Sequence, residues 1–359
     1  MKAKSVTLYD VAELAGVSYQ TVSRVINQAS HVSAKTRQKV EAAMKALNYV
    51  PNRVAQRLAG KLSQTLGLAT TTLSLHAPSQ IAAAIKSKAG ELQFNVMISM
   101  VEQPGVDAAC AAVNSLLAQR VDGLIVNIPL EAAEVAAVQA ACGDVPVLFL
   151  DVSPEVSANH IVTDAASGAD LAVEHLVTLG HRHIALLAGP ENSVSARLRL
   201  EGWQRTLAEH QLAPAAFLRG DWSSLSGYQK VSQLLRDDQK PTAILVANDQ
   251  MALGTLRAIH EAGFVVPQDI SVIGFDDTED SACFLPPLTT IRQDFRLLGE
   301  ASVNGMVALI HRGGELTALQ PVSLVERKTT AAPGSLMQPT AAQLADELSR
   351  LAQQISRLK

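Results

Sequence analysis

The chain lacks most of the sequence features that mark enzymes, exported proteins and membrane proteins. It has no Gly-rich loop for a dinucleotide or phosphate, no nucleophile elbow and no closely spaced His and Glu metal pair, so we expect no enzyme activity, no cofactor and no metal. No apolar run is long enough to cross a bilayer, and no charged-then-apolar signal segment opens the chain, which predicts a cytoplasmic protein. The three cysteines, Cys110, Cys142 and Cys283, are scattered; we expect buried small hydrophobic residues in a reducing compartment.

A few acids and histidines could suggest a metal or catalytic site, but their spacing favours simpler interpretations. The acidic run from Asp276 to Asp280 has no further ligands at a recognisable spacing. His181 and His183 follow Gly180, and we expect them to be capping or surface residues of a helix-to-strand turn. These residues therefore indicate binding without chemistry.

The most informative stretch that is present, residues 7–27, predicts a helix-turn-helix. Gly16 permits the turn, and Ser18 is expected to cap the second helix. Tyr19, Gln20 and Arg24 then project away from the apolar face of that helix. Because Arg and Gln can pair with guanine and adenine in the major groove, these side chains can read base edges. The apolar residues at helical spacing are Leu8, Val11, Ala12, Ala15, Val22 and Val25.

The charge distribution supports nucleic-acid binding by this N-terminal part. Residues 1–61 contain ten Lys or Arg and three acids, a net charge of +7, whereas the whole chain carries −4. A net charge of about −11 therefore falls on residues 62–359, which indicates a polyanion-binding head on an acidic body. A third helix, from about Ala34 to Leu47 with Ser33 as its cap, completes the head.

Residues 52–60 form a short basic segment between Pro51 and the body. Alone it is too short for a stable helix, and from its residues an ordinary linker is the simpler interpretation. It could also become helical where two copies pack on DNA, with Leu58 as an apolar wedge in an opened minor groove.

From about residue 64 to residue 330, short apolar runs alternate with helical segments, which predicts an α/β core of two doubly wound subdomains with parallel sheets. Polar residues follow several strands, where open α/β sheets bind ligands; they are Asn127, Asp151, Asn248, Asp249, Asp276 and Asp277. The predicted strands are Leu66–Ala69, Asn95–Met100, Gly123–Ile128, Val145–Leu150, His183–Ala188, Ala243–Ala247 and Ile270–Phe275.

The chain also offers the side chains that a saccharide site needs. Asp151, Asn248 and Asp276 supply acids and an amide for hydroxyl groups, Arg199 can make forked hydrogen bonds, and Trp222 can supply an aromatic face. Each of these has a plainer alternative, because an Asp after a strand often caps the next helix and a Trp often lies in the core.

After residue 330 the composition changes to a flexible linker, 331–339, followed by residues 340–358 with a heptad-like seam. The seam covers fewer than three heptads, so it predicts either a helix that bundles with other copies or one that docks on its own core. Its apolar residues are Ala341, Leu344, Leu348, Leu351, Ile355 and Leu358.

The motif from Leu8 to Asn27 and the junction Tyr49-Val50-Pro51-Asn52 resemble the lactose-repressor and galactose-repressor family of bacterial regulators, over essentially the full length. Tyr19-Gln20 and the leucine-spaced tail resemble its lactose-responsive members most. The resemblance implies a helix-turn-helix DNA-binding domain (1–51), a hinge helix (52–61), a periplasmic-binding-protein-like sugar-binding core (62–330) and a coiled-coil-like tetramerisation helix (340–358). In the core it implies an N-subdomain of about 62–162 and 292–321, and a C-subdomain of about 163–291 and 322–330.

The resemblance also implies residue roles. Operator DNA would be contacted by Thr7, Ser18, Tyr19, Gln20, Thr21, Ser23, Arg24, Asn27, His31, Ser33, Asn52, Ala55 and Leu58. The sugar would be contacted by Leu75, Ala77, Pro78, Ile81, Asp151, Ser195, Arg199, Trp222, Asn248, Asp276, Gln293, Phe295 and Leu298. Two dimers would be joined into a tetramer by Leu344, Leu348, Leu351, Ile355 and Leu358.

The implied function is a repressor that binds a pseudo-palindromic operator as a homodimer within a homotetramer and is released by a galactoside inducer. Near Thr163 the sequence lacks an aromatic residue that lactose-responsive members carry, so ligand selectivity is expected to differ. The alternatives are a repressor that needs its small molecule to bind DNA, one that responds to another sugar, a periplasmic-type sugar receptor, or a carbohydrate-active enzyme. The receptor should carry an export signal, and the enzyme should turn substrate over.

Overall fold

The computed structural model describes residues 6–26, 31–49, 62–237, 240–334, 345 and 348–350. The chain divides into two compact units, Met1–Ser63 and Gln64–Lys359. Asn27, the 52–61 segment and the tail positions Leu344, Leu351, Ile355 and Leu358 lie outside the described residues. No helix among the described residues is long and apolar enough to cross a membrane.

The first unit confirms the predicted helix-turn-helix and third helix: α1 (Leu8–Ala15), α2 (Tyr19–Ile26) and α3 (Ala34–Ala46). Gly16 ends α1 in the left-handed conformation, with φ 63°, which a residue without Cβ adopts at little cost. The Ser18 hydroxyl accepts a hydrogen bond from the Thr21 amide at 3.2 Å, and Ser33 caps α3 in the same way. Seven buried side chains form the core: Val11, Ala12, Ala15, Val22, Val25, Val40 and Ala43.

The second unit contains two six-stranded sheets, with strand orders β11-β5-β4-β3-β1-β2 and β12-β10-β9-β8-β6-β7. The strands are β1 (Thr65–Thr70), β2 (Asn95–Met100), β3 (Gly123–Asn127), β4 (Val147–Phe149), β5 (His160–Thr163), β6 (Ile184–Ala188), β7 (Ala216–Arg219), β8 (Ala243–Val246), β9 (Ser271–Asp276), β10 (Thr289–Arg292), β11 (Thr317–Gln320) and β12 (Ser323–Val325). All seven predicted strands are present.

Helices cover both faces of each sheet, as the doubly wound prediction requires. We call the first sheet with α4, α5, α6 and α11 the first lobe, and the second sheet with α7–α10 the second lobe. The helices are α4 (His76–Glu91), α5 (Val106–Ala118), α6 (Ala132–Cys142), α7 (Ala165–Thr178), α8 (Val194–Glu209), α9 (Ser224–Leu234), α10 (Asp249–Glu261) and α11 (Phe295–Arg312). The chain passes between the lobes after β5, after β10 and after β11.

Several expectations differ from the structure. Five short strands, β5, β7, β10, β11 and β12, had not been predicted, and β12 pairs antiparallel with β10 at one sheet edge. Cys142 is buried, but Cys110 is only partly buried and Cys283 is exposed, because Cys283 ends a short 3-10 helix on the surface. His181 is wrong as a surface residue: it is buried and pairs with the Thr242 hydroxyl and the Ala331 carbonyl, because the segment after β12 passes over it.

Candidate ligand cavity and DNA-binding face

A cavity of about 250 Å³ lies where the carboxyl ends of the strands of both lobes meet. We call it the cleft cavity. The structure brings all thirteen sequence-predicted sugar-site residues to its wall. Asn127, which the sequence placed at a ligand-binding strand end, also lines the cavity. The other lining residues had not been assigned a sugar contact: Thr71, Thr72, His76, Glu102, Pro104, Pro129, Leu150, Thr163, Pro190, Asn192, Ser193 and Gln250.

Arg199 is the central cation of the cavity wall. It lies on α8 and is only 5% exposed. Its guanidinium stacks on the Phe275 ring at 4.0 Å, donates to the Ala247 carbonyl and places Nη2 3.6 Å from Asp276 Oδ1. Burial lowers the pKa of Arg199, whereas Asp276 and Asp151 raise it. The stacking and the two acids hold the guanidinium in one orientation at the wall.

Asp276 ends β9 and is 3% exposed. Its φ of 124° is rare for a residue with a side chain and is the kind of backbone strain that concentrates at binding sites. Its Oδ1 accepts a hydrogen bond from Gln293 Nε2 at 2.7 Å, and Oδ2 has no donor among the residues that the structure describes. Burial raises the pKa of Asp276 to about 7, against the opposing effect of Arg199. One carboxylate oxygen is therefore oriented by the protein and the other can accept from a ligand.

Asp151 contributes a second acceptor from the first lobe. It follows β4, and burial raises its pKa to about 6, although Arg199 and the Ser195 amide act in the opposite direction. The two acids thus share one buried guanidinium from opposite lobes. Such a site suits a neutral ligand that carries several hydroxyl groups, because each hydroxyl can donate to a carboxylate and accept from an arginine.

Asn248 caps a helix and also lines the cleft cavity. It caps α10, since its Oδ1 accepts from the Met251 amide at 2.9 Å, as the plainer interpretation of the sequence anticipated. Its Nδ2 lies within hydrogen-bonding distance of the Trp222 carbonyl at 3.1 Å and Gln250 Oε1 at 3.0 Å. Trp222 has a φ of 75°, and its ring lies against Gly189, where an added Cβ would clash with it. Asn248 therefore holds the backbone of Trp222, and the missing side chain of Gly189 leaves room for the indole.

The opposite wall is mainly apolar and comes from the first lobe. Its residues belong to the beginnings of α4 and α11, and the Phe295 ring meets the His76 ring edge-on at 6.0 Å. Burial lowers the pKa of His76. This wall offers a surface for the CH groups of a ligand. Its predicted members are Leu75, Ala77, Pro78, Ile81, Phe295 and Leu298.

In the first unit, the second helix presents a polar face beside a buried one. Tyr19, Gln20 and Arg24 are exposed, whereas Val22 and Val25 are buried. Thr7 caps α1 through a capping box with Asp10. Ser18, His31 and Ser33 are also exposed, and Thr21 and Ser23 are partly exposed.

Sequence reasoning missed Tyr9, whose ring stacks on Tyr19 at 4.8 Å. Tyr9 lies on the outer face of α1 and is 69% exposed. An exposed aromatic residue close in sequence to the turn was the signal that could have found it. The stacking limits the directions that Tyr19 can take.

Comparisons with known proteins agree with this arrangement. The family model "Bacterial regulatory proteins, lacI family" matches residues 7–52, and a periplasmic binding protein-like domain matches residues 173–330. The lactose operon repressor of Escherichia coli (strain K12) is 61% identical over 360 residues, covering 99% of each chain.

Solved structures of lac repressors are also similar to this chain. The crystal structure of the lac repressor dimer bound to operator and the anti-inducer ONPF matches with a TM-score of 0.88 and 62% identity, covering 92% of this chain and all of that one. A dimeric lac repressor with an 11-residue C-terminal deletion matches with a TM-score of 0.73 and 57% identity, covering 75% of this chain and 99% of that one.

The fold, a helix-turn-helix followed by two parallel-sheet lobes around a polar cavity, defines a ligand-responsive DNA-binding regulator. The chain belongs to the lacI family of bacterial regulatory proteins. Like these relatives, it is a DNA-binding repressor and not an enzyme.

Proposed function

We propose that this repressor binds a pseudo-palindromic operator as a dimer and is released when a galactoside occupies the cleft cavity. The observation that carries the ligand class is the composition of the cavity, with two acids and a buried arginine facing an apolar wall. The identity to a lactose operon repressor along the whole chain supports a galactoside within that class.

The proposed DNA contacts are Tyr19, Gln20 and Arg24 on the exposed face of α2. Arginine and glutamine side chains on the exposed face of a recognition helix can make bidentate hydrogen bonds to guanine or adenine. The net charge of +7 on residues 1–61 favours the phosphate backbone. The remaining operator contacts, including Asn27 and the 52–61 hinge, are proposed from the family resemblance.

Coupling between the two sites requires that the sugar bind more tightly to one conformational state than to the other. A thousandfold loss of operator affinity corresponds to about 4 kcal/mol of coupling free energy. We propose that the sugar closes the cleft and disfavours the paired hinge segments. The heptad-like tail is proposed to join two dimers, which the dimeric state of the C-terminally deleted lac repressor supports. A cytoplasmic location follows from this function, because the operator lies there.

Retention of the full-length protein on a symmetric lactose-type operator, at a stated salt concentration, tests the proposal. The result expected is specific retention that falls on addition of isopropyl thiogalactoside. Equal retention on random duplex would overturn the operator assignment. Retention that increases with the sugar would instead indicate the corepressor type of coupling.

A further inference from the structure

Thr163 makes a hydrogen bond that connects the two lobes at the cavity wall. It ends β5 in the first lobe, and its Oγ1 donates to Gln293 Oε1 at 2.6 Å. Gln293 follows β10 of the second lobe and is only 6% exposed. Both residues line the cleft cavity. The bond therefore joins two of the segments through which the chain passes between the lobes.

Both the oxygen and the nitrogen of the Gln293 side-chain amide form hydrogen bonds. Its Oε1 accepts from Thr163, and its Nε2 donates to Asp276 Oδ1 at 2.7 Å. An ionised carboxylate only accepts hydrogen bonds, so Asp276 selects the Nε2 end of Gln293, and the Thr163 hydroxyl then donates to the Oε1 end. The two contacts together hold the Gln293 amide in place between Thr163 and Asp276.

We propose that Thr163 is a positioning residue for the sugar ligand: its hydroxyl fixes the Gln293 amide, which in turn aims the Asp276 carboxylate into the cleft cavity. The inference rests on the proposed sugar-binding function and assigns a specific role to Thr163, where the sequence indicated only an altered ligand selectivity. A side chain without a donor at this position would leave the buried Gln293 oxygen unpaired and free the amide to rotate.

Charged groups around Asp276 make the effect measurable without a ligand. Asp276 faces Arg199 from α8, Asp249 from α10 and the Gln293 amide, and Arg199 in turn faces Asp151. The donor bond from Gln293 lowers the pKa of Asp276 from the value that burial alone would give. If Gln293 loses its anchor, the charged form of Asp276 becomes less stable, and its titration moves to higher pH.

The test compares Thr163→Val, which removes only the hydroxyl, with Thr163→Ser, which keeps it. Thr206→Val is the matched control, because the Thr206 hydroxyl also donates hydrogen bonds, to Asp170 and the Gly202 carbonyl, but lies away from the cavity. Binding of isopropyl thiogalactoside to the full chain is followed by tryptophan fluorescence, since Trp222 lines the cavity. A urea-denaturation series across pH reports the titration of Asp276.

We expect Thr163→Val to weaken binding about threefold to tenfold and to move the Asp276 titration upward by about half a pH unit. Thr163→Ser should restore both, and Thr206→Val should change neither. If Thr163→Val leaves the sugar affinity and the titration unchanged, the positioning role is refuted. If the unmodified chain does not bind the galactoside, the proposed ligand is wrong, and the ligand-free titration still decides whether Thr163 orients Asp276.

Discussion

Replacing Asp276 with Asn separates the cost of a buried carboxylate from its value in binding. Burial raises the pKa of Asp276 to about 7, whereas an unfolded aspartate titrates at about 3.9. Between these values the folded protein binds about one proton more than the unfolded chain. The contribution of this group to the free energy of unfolding therefore falls as pH rises, by about 1.4 kcal/mol per pH unit and by ~4 kcal/mol across the window.

The asparagine variant has no proton to lose at this position. Below about pH 4 it should be as stable as the unmodified chain, because both then place a neutral group beside Arg199. Above about pH 7 it should be more stable by up to ~4 kcal/mol. Its sugar affinity should fall by about tenfold to a hundredfold, since a hydroxyl loses a charged acceptor. Stability and binding are thus expected to move in opposite directions.

Urea denaturation of both proteins between about pH 5 and pH 8 measures the first effect, and tryptophan fluorescence titration with isopropyl thiogalactoside measures the second. Glu315→Gln, at an exposed position before β11, controls for the change of net charge. A stability difference that does not vary with pH would refute the raised pKa of Asp276. Unchanged sugar affinity would remove Asp276 from the ligand site.

Three further predictions concern the head and the packing of the second lobe. Arg24→Ala should weaken operator binding by about 1–3 kcal/mol and relax specificity at one base pair, measured by retention on single-base operator variants; an equal loss on all sequences would make Arg24 a phosphate contact. Ser33→Ala should lower the stability of the head by about 1 kcal/mol in urea denaturation. The Thr36 amide, which donates to the Ser33 hydroxyl, should exchange faster in the variant; unchanged exchange would contradict the capping role of Ser33. Gly254→Ala should lower the free energy of unfolding by about 1–3 kcal/mol, because the added Cβ would clash with the α9 backbone. Gly90→Ala, whose added Cβ would have no atom within 4 Å, should be neutral or stabilising. Equal effects of the two variants in urea denaturation would refute the packing argument.

The sequence was sufficient for several of the strands whose burial is carried by apolar side chains. β1, β3 and β9 are fully buried, so their composition marks them. β7, β11 and β12 are short and partly exposed and leave no comparable pattern. β10 is buried but begins with Thr289 and Thr290, whose hydroxyls bond to Thr330 and Asp249. Threonines satisfied by distant partners cannot be recognised from local composition.

The residues of the cavity wall could also be predicted only in part. Polar residues at strand ends indicated Asp151, Asn248 and Asp276, because the carboxyl ends of neighbouring parallel strands must meet. The contacts of Thr163 and the stacking of Tyr9 on Tyr19 could not be predicted in this way. Both depend on segments distant in sequence or on side-chain directions that only the packed structure fixes.

The geometry of the three connecting segments explains how a small ligand could change the angle between the lobes. Asp164 and Asp294 cap α7 and α11 at two of the segments, with ψ of 75° and 86°, and the Asp164 amide donates to the carbonyl of Gln320 at the third. Hinge motions are typically absorbed by a few residues at the ends of helices and strands, as Asp164 and Asp294 are, and Gln293 lies in one of the segments while also contacting Asp276. In the proposed mechanism, a sugar that bridges Asp151 and Asp276 acts on the hydrogen bonds that connect the lobes, and its preference for one lobe angle would supply the free energy of coupling.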